Sequence, residues 1–266
     1  MTTSSKGFKI GFRNLQFFAL NAYQTPLGTS AIVPYEGLTH TAARALTLTI
    51  PQPRAIDQQG DDRVEALDFL PPSTSMTAEI HVGLSDMDII ALLTGTEKAT
   101  VGTSNYVPLA TDQQGLEPFV GILAYSQSLN FPLGNRTWDW YFFPYARAIY
   151  AASSLAETPQ DVIFRVAPQY TSLLPWGAAL ASATNGALTM QGIQGISEGR
   201  PHLATWLADG TATTFSFATA HPAYATGSIA VFVNEVLDAT ASKTVTGVTP
   251  TSKPANLDRV EVFYEE

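Results

Sequence analysis

The chain has 266 residues, 45% of them hydrophobic, which suffices for a large core and excludes a disordered chain. Its net charge is −9, which excludes a surface built to grip nucleic acid, since that needs clustered Lys and Arg. It contains no Cys, so disulfides, Cys-ligated zinc and thiol catalysis are excluded as well.

Charge is sparse as well as negative. Only 14% of residues are Asp, Glu, Lys or Arg, against about 25% in typical soluble domains. Such a surface favours association unless partners cover it. Residues 1–200 carry 11 basic and 16 acidic groups (−5), and residues 201–266 carry 3 and 7 (−4), so neither part is basic. The N-terminal "MTTSSKGFKIGFRNLQFF" has no apolar h-region, and no run of about 18 apolar residues occurs. Neither a signal peptide nor a membrane anchor is expected.

Gly, Pro, Ser and Thr punctuate strand-length runs along the chain. "RNLQFFAL" (13–20) and "ARALTLTI" (43–50) read as strands. In "STSMTAEIHVG" (73–83), Met76, Ala78, Ile80 and Val82 alternate with Ser75, Thr77, Glu79 and His81, the pattern of a half-buried strand. "SDMDIIALLTG" (85–95) reads as the principal helix, with Ser85 as cap, Asp88 completing a capping box and Gly95 ending it. "PFVGILAYSQS" (118–128), "TWDWYFFPYARAIY" (137–150) and "DVIFRVAPQY" (161–170) are further strands. "QGIQGISEGRP" (191–201) reads as a Gly-rich linker. Beyond it, "ATTFSFA", "SIAVFVNEVL", "KTVTGV" and "DRVEVFYEE" are short strands, with Asp209-Gly210 a turn signal. The expected fold is mainly β: an antiparallel β domain with one flanking helix over 1–198, and a small β-sandwich over 199–266.

The chemical motifs are weak. "GISEG" (195–199) has the spacing of a G-x-S-x-G nucleophile elbow, but that elbow needs a strand before Ser197 and a helix after it. His40, His81, His202 and His221 show no ligand spacing, so no metal or cofactor is expected. The acidic stretch 55–68 lacks the spacing of a calcium loop and reads as solvated. No P-loop or dinucleotide fingerprint occurs. No catalytic residue is expected.

The densest feature is aromatic. Six of the eight residues from Trp138 to Tyr145 are aromatic. As a regular strand, Tyr141, Phe143, Tyr145 and Ile149 would share one face, and Trp138, Trp140, Phe142 and Ala146 the other. Both faces then need cover. Pro144 has no N–H to donate, which favours a sheet edge or a bulge. A helix or loop of the same subunit would cover such an edge, or a neighbouring subunit would. Trp138, Trp140, Phe142, Pro144 and Tyr145 are therefore the candidate subunit interface.

With these features the chain resembles the major tail (tube) proteins of long-tailed, siphovirus-type bacteriophages. The resemblance rests on "AEIHVG" running into the "SDMDIIALLTG" helix, "FVGILAYSQS" before the broken aromatic strand "YFFPYARAI", and "DVIFRVAPQY" leading to "LLPWGAAL", over roughly residues 8–190. It implies a β-sandwich or partly closed barrel with a flanking helix. Subunits would form hexameric rings stacked into a tube, with other tail proteins at its ends and DNA passing through without specific binding. The chain would be made in the host cytoplasm and reside in the virion. The loop between rings would fall at 51–73, "PQPRAIDQQGDDRVEALDFLPPS", with Arg54, Asp57, Asp61, Asp62, Arg63, Glu65 and Asp68 as candidate stacking residues, mobile in the free subunit. The C-terminal part is similar to immunoglobulin-like modules of phage structural proteins, although Asn234-Glu235 stands where many carry Asn-Gly. An independent module outside the tube is implied, dispensable for ring formation. The alternative is a β-sandwich carbohydrate-binding or adhesion protein.

Overall fold

The structure is a computed structural model and describes residues 6–22, 26–28, 30–40, 43–49, 54–60, 63–70, 77–83, 86–107, 117–131, 136–152, 162–168, 193–197, 201–217, 230–234 and 236–265. In chain order the elements begin with strands β1 (Lys6–Ala19), β2 (Leu38–His40), β3 (Ala43–Thr49), β4 (Arg54–Gly60), β5 (Arg63–Leu70) and β6 (Thr77–Val82). Helix α1 (Met87–Thr94) follows, then β7 (Ala99–Val101), β8 (Ser104–Tyr106), β9 (Phe119–Phe131), β10 (Arg136–Ala152), β11 (Val162–Pro168) and β12 (Ile193–Ser197). The last strands are β13 (Pro201–Asp209), β14 (Phe215–Ser216), β15 (Ala230–Val233), β16 (Val236–Leu237), β17 (Ser242–Thr244), β18 (Gly247–Thr249) and β19 (Asn256–Glu265). The chain is thus mainly β, with antiparallel sheets and one helix among the described residues.

The main sheet runs β2-β1-β9-β10-β11-β6-β3, with β12 also on β10. It curls. β1 and β11 stand three strand spacings apart, about 14 Å if flat, yet the Phe17 and Phe164 rings meet edge to face at 6.3 Å. Its ends, β2 and β3, are not hydrogen-bonded to each other, so the barrel is not closed. Leu15, Phe17, Ile80, Ile122, Phe143 and Phe164 fill the concave side. The alternation expected in 77–82 holds: Ala78, Ile80 and Val82 are buried. Helix α1 lays Ile89, Ile90 and Leu93 on that core. Its cap is Asp86, one residue later than the sequence suggests, with Oδ1 accepting from Asp88 N–H at 2.9 Å. Gly95 closes the helix at φ 70°, where other residues are strained.

The long strand β10 departs from a regular strand at Pro144. Its register with β9 shifts between Phe143 and Ala146. One bulge therefore puts Tyr141 and Phe143 on the core side before it, and Ala146, Ala148 and Tyr150 after it. Ala146 joins Phe143, the reverse of the regular-strand expectation. The proline sits at a bulge in an interior strand, because β9 flanks β10 on one side while β12 and β11 divide the other.

Residues from 201 build a second body. A four-stranded sheet, β13-β19-β15-β16, faces a three-stranded one, β14-β18-β17, around Trp206, Phe215, Val260 and Tyr264. β13 does not appear in the sequence reading. The opposite face of its sheet is covered too: Leu203, Thr205, Phe232 and Glu261 are buried there, and Arg259 Nε lies 2.7 Å from Glu261 Oε1. Asp238 ties two turns together, accepting from Thr251 N–H (2.7 Å), Thr251 Oγ1 (2.6 Å) and Thr240 N–H (3.3 Å).

An early segment joins the two bodies. Tyr35 N–H donates to Thr205 O (2.8 Å), Thr205 N–H donates back to Tyr35 O (3.1 Å), and Leu207 N–H donates to Ser30 O (3.2 Å). Ala31 enters the Trp206 core. Gly28 lies so close to β13 that a Cβ would stand 2.9 Å from the Trp206 carbonyl carbon. On its other side, Tyr35 packs edge to face on Phe18 at 6.4 Å, and its hydroxyl accepts from Ala19 N–H at 2.7 Å. Burial raises the Tyr35 phenol above its ordinary pKa, against the opposing Ala19 hydrogen bond.

Two expectations follow. Tyr35→Phe leaves the Ala19 N–H without that acceptor, so it should lower stability by about 1–2 kcal/mol in urea unfolding; an unchanged midpoint would show that the bond contributes nothing. Asp238 has its pKa lowered: partial burial raises it, but the Thr251 and Thr240 hydrogen bonds outweigh burial. Asp209 is lowered from 3.8 to about 2 by the Ala212 and Thr211 N–H groups. For a depressed carboxyl, the stabilisation is full above the unfolded pKa and is lost as pH falls through the folded one. Acid should therefore weaken the C-terminal body between about pH 4 and pH 2. Asp238→Asn should remove part of that slope, read as melting temperature against pH.

Candidate functional site

The aromatic run lies in mid-sheet. Trp138, Trp140 and Phe142 pair with Gln127, Tyr125 and Leu123 of β9 on one side, and with Ser197, Gly195 and Ile193 of β12 on the other. Their backbones are therefore unavailable to another chain's strand, and the edge-strand basis for an interface through Trp138, Trp140, Phe142 and Pro144 is replaced. The side chains of these four lie outside the described residues.

Tyr145 is described. The bulge turns it away from the core, where its ring stacks on Phe119 with centroids 4.0 Å apart and planes 15° off parallel. The Arg147 guanidinium carbon stands 4.5 Å from the centroid of the same ring. Two groups that close to one centroid must take opposite ring faces, which makes a Tyr–Phe–Arg stack. Ile149, two residues on, is exposed. Burial raises the Tyr145 phenol's pKa while the Arg147 cation opposes it. The stack is planar, two aromatic rings ending on a cation, and it offers side chains and little backbone.

Within 51–73 the described residues, Arg54–Gly60 and Arg63–Leu70, form a ribbon, a correction to the reading of the stretch as a loop. β4 and β5 pair from Arg54↔Leu70 to Gly60↔Arg63, with one register shift at Gln58/Gln59. Asp57 pairs with Leu67 and Asp68 with Ile56. The ribbon is inserted between β3 and β6, which pair directly up to Thr49↔Thr77, so it springs from one end of the sheet's last hairpin. Asp61 and Asp62 lie outside the described residues, as do the side chains of Arg54, Asp57, Arg63, Glu65 and Asp68.

The Gly-rich stretch is also corrected. Ile193–Ser197 is strand β12, and the next described residues, Pro201–Asp209, are strand β13. Ser197, paired with Trp138, has a strand before it, but strand rather than helix is the next described element, so the elbow context fails. The described histidines are dispersed. His40 is buried on β2, His81 lies half-buried on β6, and His202 stacks on Tyr264 at 5.2 Å. Among the described residues no three His, Asp or Glu side chains gather as a metal site. No described helix is long and apolar enough to cross a membrane.

Sequence reasoning missed residues 26–35. Their signal was Pro26, Gly28 and Pro34 framing an uncharged stretch with Ile32 and Val33, which reads as an ordinary loop. No protein-family model matches the chain, and no curated protein matches it.

Tyr145→Ala should cost about 1 kcal/mol, the scale of one aromatic pair on a half-exposed face. If the stack also meets a neighbour, the variant should self-associate more weakly than the wild type in sedimentation velocity at equal concentration. Equal association would remove Tyr145 from the interface.

Proposed function

We propose that this chain is a structural subunit that self-assembles into stacked rings forming a bacteriophage tail tube. The observation that carries the reading is the β4–β5 ribbon. Among the described residues its two strands pair with each other and with no third strand, and a lone two-stranded ribbon is at best marginally stable in water. A ribbon of that length on the rim of a sheet gains stability by lying against another surface, and the stacking role proposed for 51–73 supplies one. Sparse charge across the chain supports the same reading, since a covered surface needs few charges. The acidic balance suits a conduit: negative walls repel DNA phosphates and keep passing DNA from adhering. On this reading the chain is not an enzyme, resides in the virion and contacts other tail proteins at the tube ends.

The second reading, a carbohydrate-binding or adhesion protein, is favoured by one feature, the half-exposed Phe119–Tyr145 stack, since planar rings suit sugar faces. It gives no role to the ribbon.

Replacing residues 54–70 with a short Gly-Ser linker separates the two. The tube reading expects the wild type to sediment as long assemblies and the shortened chain to stop at single rings. Identical sedimentation of the two proteins would overturn the stacking role.

A further inference from the structure

We propose that copies of this chain meet head to tail through the two edges of the C-terminal four-stranded sheet, the Ile32–Val33 turn of one copy seating on β16 of the next. The inference rests on the self-assembling reading and adds a contact that reading does not specify.

Both edges are visible in one sheet. Ser30 and Tyr35 are bonded to β13 at Leu207 and Thr205, so residues 30–35 extend the order to segment 30–35, β13, β19, β15, β16. The two ends stand roughly 19 Å apart, four spacings of about 4.8 Å, so they cannot meet within one molecule.

The first edge is a fixed apolar knob. Thr205 and Leu207 are two residues apart, but their partners Tyr35 and Ser30 are five apart, so residues 31–33 bow outward. Ser30 Oγ accepts from Val33 N–H (2.9 Å) and Ile32 N–H (3.2 Å), which fixes the bow. Ala31 points into the Trp206 core, leaving Ile32 80% and Val33 58% exposed. Holding apolar groups out on a rigid turn costs little further entropy on docking. Pro34 has no N–H, so this edge offers side chains more than backbone.

The second edge is β16, the last strand of its sheet among the described residues, with Val236 70% and Leu237 45% exposed. An apolar edge strand is a template for association. Charge selects the partner. Glu235 and Asp238 flank β16, so pairing β16 with β16 of a second copy would bring four carboxylates together. Residues 21–35 contain no charged residue, so the knob meets no such repulsion. The contact joins different patches, and repetition gives a ring or a filament. These four side chains cover well below the ~1,600 Å² of a standard interface, so the contact is weak alone and acts alongside others in an assembly.

The absence of Cys permits a clean test. Ile32→Cys and Val236→Cys are made separately in the full chain, with Val101→Cys, 68% exposed on β7, as a collision control. Circular dichroism checks that each is folded; all three positions are exposed, so the core is untouched. Under mild oxidation the mixture of Ile32→Cys with Val236→Cys should give a mixed dimer at roughly tenfold the yield of Val101→Cys with Val236→Cys, because docking raises the local thiol concentration. A chain carrying both substitutions should give a ladder of multimers. Mixed dimer at the control level, or a dominant Val236→Cys homodimer, overturns the proposal. Tubes without the mixed dimer would sink this contact and leave the tube reading intact; the ladder without tubes would do the reverse.

Discussion

Tyr35 is where the molecule is joined. Its backbone pairs with Thr205 in the C-terminal sheet, its ring packs on Phe18 and its hydroxyl takes the Ala19 N–H of the main sheet. Phe18 and Thr205 lie on sheet faces opposite the two main cores, and both are fully buried. Each sheet therefore has two faces to cover; the Tyr35 ring lies on Phe18 of one sheet, and the 30–35 backbone closes the β13 edge of the other. The consequence for organisation is concrete. β12 ends the main sheet at Ser197 and β13 opens the second body at Pro201, yet the core around Trp206 takes Ala31 from far upstream. Cutting the chain near residue 198 removes the surface on which residues 26–35 rest, and the remaining domain loses more than an appendage.

Legibility followed local pattern. β6, β9, β11 and the C-terminal strands other than β13 could be read because alternation or apolar runs are local signals, and Gly95 could be read as a helix end because left-handed backbone favours glycine. The β4–β5 ribbon could not: "RAIDQQGDDRVEALD" has the polarity of a loop. β12 was hidden because two glycines in "GIQGIS" signal a linker, while its partner β10 supplies the reason to be a strand. The faces of β10 were misassigned after Pro144 because one bulge reverses every later residue, and a proline leaves open whether it marks an edge or a bulge. The 30–35 segment was illegible for a different reason. Its function is a contact with residues about 170 positions away, and no periodicity within it records that.

The candidate interface changed in the same way. Trp138 and Trp140 are in mid-sheet by backbone pairing, while Tyr145, Phe119 and Arg147 form the described stack on the outer side. What reaches outward is thus dispersed: the stack, the ribbon, the Ile32–Val33 turn and the β16 edge. Four outward features on a chain with few charges suit a subunit with several neighbours better than a protein with one ligand.

Negative-stain electron microscopy of the purified full-length chain, concentrated at physiological salt, tests that conclusion most directly. The account predicts rings of uniform diameter and tubes made by their stacking. Dispersed single particles of one subunit's size at every concentration would contradict it.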